Sequence, residues 1–107
     1  MPKDEDAAAS RPHHHHVSVQ ADAAVSLGVY ANMMMVSHRK EEFVLDFLFV
    51  PPQPAGAAGA TATLRTRVIV TPEHAKRIVR ALHDNVHRYE ASFGAISEAT
   101  DLPTSVH

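Results

Sequence analysis

The chain has 107 residues, with 10 Lys and Arg against 12 Asp and Glu, 9 His and no Cys, for a formal net charge of −2. That length allows one domain, and the lack of cysteine excludes disulfides, thiolate metal sites and cysteine nucleophiles. The slightly acidic balance argues against a dedicated nucleic-acid binder.

The first segment, Met1 to about His16, is acidic, then alanine-rich, then a histidine run. It lacks the apolar content to build a core, so a disordered tail is expected. It carries no apolar stretch of the secretory type. His13 to His16 offer imidazoles for weak divalent-metal binding, but a low-complexity tract or a cloning scar explains them as well.

Val17-Ser-Val-Gln20 alternates and reads as a short strand, and Asp22 to Ser26 as a connector or helical turn. A strand is predicted from Leu27 to about Val36. His38-Arg39-Lys40-Glu41 is a charged turn. Phe43-Val-Leu-Asp-Phe-Leu-Phe-Val50 is the strongest strand, rich in aromatic and β-branched residues. Pro51 and Pro52 stop it, and an alanine-glycine loop follows. Ala62 to Val70 is the last strand.

Thr71 to Gly94 has both ends of a helix marked. Thr71 is an N-cap, Pro72 suits the first helical position, Glu73 complements the dipole, and Gly94 suits a left-handed C-cap. Ala75, Val79, Leu82, Val86, Tyr89 and Phe93 recur at spacings of four and three, the helical period. Ile78 widens this stripe. Glu73 with Arg77, and Asp84 with Arg88, are spaced for i,i+4 pairs. Burying the stripe contributes about 1.5–3 kcal/mol per residue, so the helix needs a large apolar partner surface. After Ile96 a flexible C-terminal tail is expected, which leaves residues 17–96 as the folded domain.

The predicted fold is α+β: an antiparallel three- to four-stranded sheet packed by one long C-terminal helix. Facing parity places Leu27, Val29, Met33, Met35, Phe43, Leu45, Phe47, Phe49, Leu64, Val68 and Val70 on the helix-bearing face. The second face takes Tyr30, Asn32, Met34, Val36, Val44, Asp46, Leu48, Val50, Arg65, Arg67 and Ile69. That face is mixed, and something must cover it or extend the sheet. A homodimer or higher homo-oligomer is therefore expected, with room for a protein partner.

Candidate chemistry is sparse. Asp46 lies mid-strand among apolar residues, on the parity of Asn32, Arg65 and Arg67. An inter-strand ion pair that fixes register is the plainer reading, and a small-anion or polar-ligand site with the arginines as donors is the alternative. Tyr30, Asn32, Met34, Asp46, Arg65 and Arg67 form the predicted interface and polar row. His83 and His87 are one helical turn apart, the spacing of a zinc pair, but a full site needs further ligands. Two solvated histidines explain them more simply. Lys76, Arg77, Arg80 and Arg88 read as a solvated mixed-charge face, since no aromatic platform accompanies them. Ser18, Ser26, Ser37 and Ser92 lack an elbow motif, and there is no phosphate loop or dinucleotide fingerprint. No catalytic residue or cofactor is called for. No apolar run reaches the roughly 18 residues of a membrane span, and a cytoplasmic protein is expected.

Three pieces stand together in order: Gly28-Val-Tyr-Ala-Asn32, then Glu42-Phe-Val-Leu-Asp-Phe47, then Arg67-Val-Ile-Val-Thr-Pro-Glu-His-Ala-Lys76 running to Asn85, Tyr89-Glu90 and Phe93-Gly94. On these residues, from about Leu27 to Ile96, the chain resembles DUF3467, a small bacterial family of unknown function. The resemblance implies no activity and no catalytic residues. A meander followed by a long helix is also similar to the SecB export-chaperone architecture. That analogy implies an oligomer whose apolar grooves hold unfolded chains, although fold alone does not establish function. A non-enzymatic oligomeric binding or scaffold module is the leading expectation. A SecB-like holdase and a small-ligand or metal-dependent activity at the Asp46/Arg67 row are the alternatives.

Overall fold

A computed structural model describes residues 16–56 and 58–98. A single helical turn, α1 (Ala23–Ser26), precedes β1 (Met33–His38), β2 (Phe43–Phe49), β3 (Thr63–Val70) and the helix α2 (Pro72–Phe93). The three strands form one antiparallel sheet in the order β1-β2-β3. The architecture is α+β, with a meander and one long C-terminal helix.

Among the described residues the sheet has three strands. Val17-Ser-Val-Gln20 is exposed coil and adds no fourth. The predicted strand from Leu27 is also shorter, because β1 begins only at Met33. Leu27 is the C-cap of α1, and Gly28 then turns the chain at φ +78°, a conformation open to glycine at little cost. The pairing of β1 is extended by one residue: Asn32 N–H donates to the Leu48 carbonyl at 3.0 Å.

Strand register corrects the predicted faces. His38 pairs with Phe43 across the four-residue connection Arg39–Glu42, which Arg39 N–H closes on the Glu42 carbonyl at 2.9 Å. An even-numbered connection pairs odd positions of one strand with even positions of the next. Directly opposed residues share a face, so Met33 and Met35 lie with Leu48 and Asp46, whereas Met34 and Val36 lie with Phe47 and Leu45. The predicted parity had β1 reversed relative to β2.

The β2–β3 pairing agrees with prediction from Phe43↔Val70 through Asp46↔Arg67. It then shifts between Phe47 and Leu48, where Phe47 opposes Thr66 but Leu48 opposes Leu64. Arg65 is the extra residue of this β-bulge. Leu64 consequently joins the Asp46 face and not the Phe47 face.

The described residues centre on β2. Leu48 and Asp46 are each only 7% exposed and are the two buried side chains. The other β2 residues are half-buried between the two flanking strands. Tyr30 lies edge-on to Phe49 at 5.9 Å, and His38 stacks on Phe43 at 5.3 Å.

The helix α2 forms as its sequence dictates. Thr71 Oγ1 accepts from His74 N–H at 3.1 Å, Pro72 occupies the first turn with Glu73 beside it, and Gly94 ends it. Gly94 takes φ +101° with ψ 166°, a positive-φ but extended geometry in place of the expected left-handed cap. Its N–H reaches the Glu90 carbonyl at 2.9 Å, and Glu90 Oε2 accepts from Ile96 N–H at 2.9 Å. Arg88 donates to Asn85 Oδ1 at 3.2 Å. The predicted Asp84–Arg88 and Glu73–Arg77 ion pairs are not made among the described residues.

The helix does not take the expected seat on the Phe43–Phe49 side. The extensive packing in the molecule is strand on strand, β1 with β2 and β2 with β3. No α2 residue is buried. Pro72, Ala75 and Ile78 are half-buried at the start, and every residue from Val79 to Tyr89 is exposed. One residue, Thr71, links β3 to α2, and it is extended at φ −71°, ψ 158°. Connections that fold a helix back over its preceding strand commonly take 2–6 residues. The pyrrolidine ring of Pro72 further disfavours a helical Thr71, so the link lacks the length and freedom to reverse the chain.

Candidate functional site

The sheet holds one charged pair. Asp46 sits on central β2, directly opposite Arg67 of β3. Arg67 Nε donates to Asp46 Oδ1 at 2.7 Å and its terminal nitrogen to Oδ2 at 3.0 Å. This is the bidentate fork that guanidinium and carboxylate geometry favours. The Asp46 side chain is 10% exposed and that of Arg67 55%. The hydrogen bonds from Arg67 and its positive charge hold the Asp46 carboxyl below its ordinary range, against a desolvation penalty that pushes it up. The same contacts raise Arg67.

The rest of the predicted polar row does not assemble around this pair. Met35, not Met34, stands opposite Asp46 on β1. Arg65 is displaced by the bulge and exposed. Asn32 is used at the sheet edge: its side-chain N–H donates to the Val50 carbonyl at 2.9 Å, and its Oδ1 accepts from Val50 N–H at 2.9 Å. An amide side chain thus replaces a backbone pair and closes the end of β2. Tyr30 packs on Phe49.

His83 and His87 lie on exposed α2, and His83 Nδ1 is 3.6 Å from Asp84 Oδ1. Among the described residues no three His, Cys, Asp or Glu side chains converge on a metal-sized site. Of the histidine run, His13 to His15 fall outside the described residues.

Among the described residues α2 also exposes an apolar surface. Along α2, Val79, Leu82, Val86, Tyr89 and Phe93 are all exposed, Leu82 at 61% and Phe93 at 76%. Val79, Leu82 and Val86, with His83, His87 and Glu90 beside them, line a shallow open groove. Tyr89 and Phe93 continue the surface with ring centroids 4.9 Å apart. Further exposed apolar residues lie on the arm before β1 (Val17, Val19, Leu27 and Val29) and at Ile69 of β3. Isolated exposed apolar residues are ordinary, whereas a contiguous apolar stripe along a helix is not. Sequence reasoning found this stripe by its period and assigned it to the wrong surface, because period says which side is apolar and not what it meets.

Fold and surface together define a small α+β module in which an exposed amphipathic helix follows a thin three-stranded sheet. The chain belongs to the family DUF3467, described as a protein of unknown function, whose profile matches residues 1–98. The match begins well before Leu27, where the resemblance carried by the sequence motifs starts. No curated protein and no solved structure gives a significant match. No helix among the described residues is long and apolar enough to cross a membrane.

Proposed function

We propose that this chain is a non-enzymatic, self-associating binding or scaffold module. The observation that carries the reading is the unburied stripe of α2. A 22-residue helix has little stability of its own in water, where most helical stability comes from packing an apolar face. Among the described residues the sheet does not supply that packing, and an external surface is the source proposed for it. A second copy is the simplest source, and a homodimer or higher homo-oligomer follows. A cysteine-free composition suits a reducing cytoplasm, where we place it. Light scattering at tens of micromolar tests the reading: a dimer or larger species is expected, and a strict monomer overturns it.

A second reading is holding of unfolded chains. The extent of exposed apolar surface on the arm, α2 and Ile69 favours it. It requires that surface to remain after self-association. Suppression of aggregation of an unfolded client by the assembled protein is the measurement, and no suppression removes this reading. Ligand chemistry at the Asp46–Arg67 row has less support, because the bidentate pair occupies both carboxylate oxygens and two guanidinium nitrogens.

A further inference from the structure

We infer that α2 is covered by the α2 of a second copy, running antiparallel about a two-fold axis level with Asp84. This rests on the self-association proposed above and assigns its surface. The seam Ala75, Val79, Leu82, Val86, Tyr89, Phe93 alternates steps of four and three without a break. That 3.5-residue period keeps a seam facing another helix over several turns.

Side-chain size selects the direction. In an antiparallel pair each residue meets the one at the mirrored position. The layers become Ala75 with the partner's Phe93, Val79 with the partner's Tyr89, and Leu82 with the partner's Val86, each occurring twice. Ala75, the smallest, meets one ring, Val79 meets the other, and Leu82 and Val86 meet at the axis. Layer volumes stay even, which lets two straight helices keep one separation at interior packing density. A parallel pair stacks like on like. Ala75 against Ala75 leaves a void at one end, and Tyr89 and Phe93 against their own copies force the helices apart at the other.

Charge points the same way. Lys76 and Glu90 flank the seam on the same side, each one residue after an Ala75 or Tyr89 layer. Antiparallel pairing sets each Lys76 beside the partner's Glu90, giving two opposite-charge contacts per dimer. Glu90 Oε2 already accepts from Ile96 N–H, which leaves Oε1 for the lysine. Parallel pairing sets Glu90 near the partner's Asn85 and gives Lys76 no acidic neighbour. Covering both seams removes on the order of 1,000 Å² from water, the lower bound for a specific interface.

The chain has no cysteine, so single cysteines report pairing directly. Full-length A75C and F93C are oxidised separately, and again after mixing and subunit exchange. Cross-links only in the mixture, joining 75 to 93, are expected. Cross-links in each variant alone mean parallel helices and overturn the inference. No cross-link in a species that light scattering still shows as a dimer means that α2 is covered elsewhere, for example by the partner's sheet. That outcome overturns this inference and leaves the self-association reading intact. A monomer overturns both. Charge reversal is an independent test on folded protein. K76E is expected to weaken association about fivefold, the scale of two exposed ion pairs, and K76E/E90K to recover most of it. An unchanged dissociation constant for K76E contradicts the inference.

Discussion

The sheet and the helix solve the same problem in opposite ways. Central β2 is flanked on both sides, and its Leu48 and Asp46 are the buried side chains of the described residues. Each strand finds its partner within the chain, through a four-residue turn on one side and a longer loop on the other. Helix α2 carries an equally regular apolar pattern, yet among the described residues nothing buries it. The difference lies in the connections. A hairpin returns the chain onto itself, whereas the one-residue link at Thr71 does not. Each strand therefore finds a neighbour within the chain, and the proposed self-association gives the helix its partner.

Substitutions in the two regions should separate these roles. The largest effect is expected from Leu48→Ala, at about 2–5 kcal/mol for a buried leucine, read as loss of the cooperative transition in urea. Leu82→Asp comes next. On an isolated chain it changes an exposed residue and should cost almost nothing. If α2 is an interface, each dimer buries two charges, and the dissociation constant should rise at least a hundredfold while sheet circular dichroism persists. Sedimentation equilibrium distinguishes the outcomes, and unaltered association would break the comparison between the two regions.

Asn32→Ala removes both amide bonds to Val50 and leaves part-buried backbone groups without partners. A loss of about 1–3 kcal/mol is expected, visible as faster amide exchange at Val50. Thr71→Ala removes the helix N-cap and should cost about 1 kcal/mol. That loss should be read in helix content and in association together, since helix order and pairing are linked.

The smallest effect is the pH response of Asp46. Its folded value lies below that of the unfolded chain. The pair's contribution is therefore complete above the ordinary aspartate value of about 3.9 and is lost as pH falls through the lower folded value. Because Arg67 is largely in solvent, screening keeps the effect modest. The urea midpoint should fall more steeply below about pH 4 in the natural protein than in Asp46→Asn, and identical profiles would remove the pair from the account of the sheet.

Much of the fold was legible because its signals are local. The Phe43–Phe49 strand, the N-cap at Thr71 and Pro72, and the helix end at Gly94 each depend on a few neighbouring residues. The α+β architecture and the facing of Asp46 and Arg67 followed from them. The candidate row was legible only in that pair. Met34 changed faces because register depends on counting the turn between β1 and β2. Arg65 and Leu64 moved because a bulge adds one residue that alternation does not reveal. Asn32 was singled out for its polarity, yet its use as a substitute backbone pair is visible only once β2 is seen to end beside it.

The sequence by itself determined the helix α2, the extended segments β2 and β3, and which side of α2 is apolar, because these are properties of spacing and end residues. Only the tertiary structure decided which residues share a sheet face and that α2 stays off its own sheet. The first is set by loop count and bulge position. The second is set by an extended Thr71 held before Pro72, a link too short to turn a helix back onto the strand it follows.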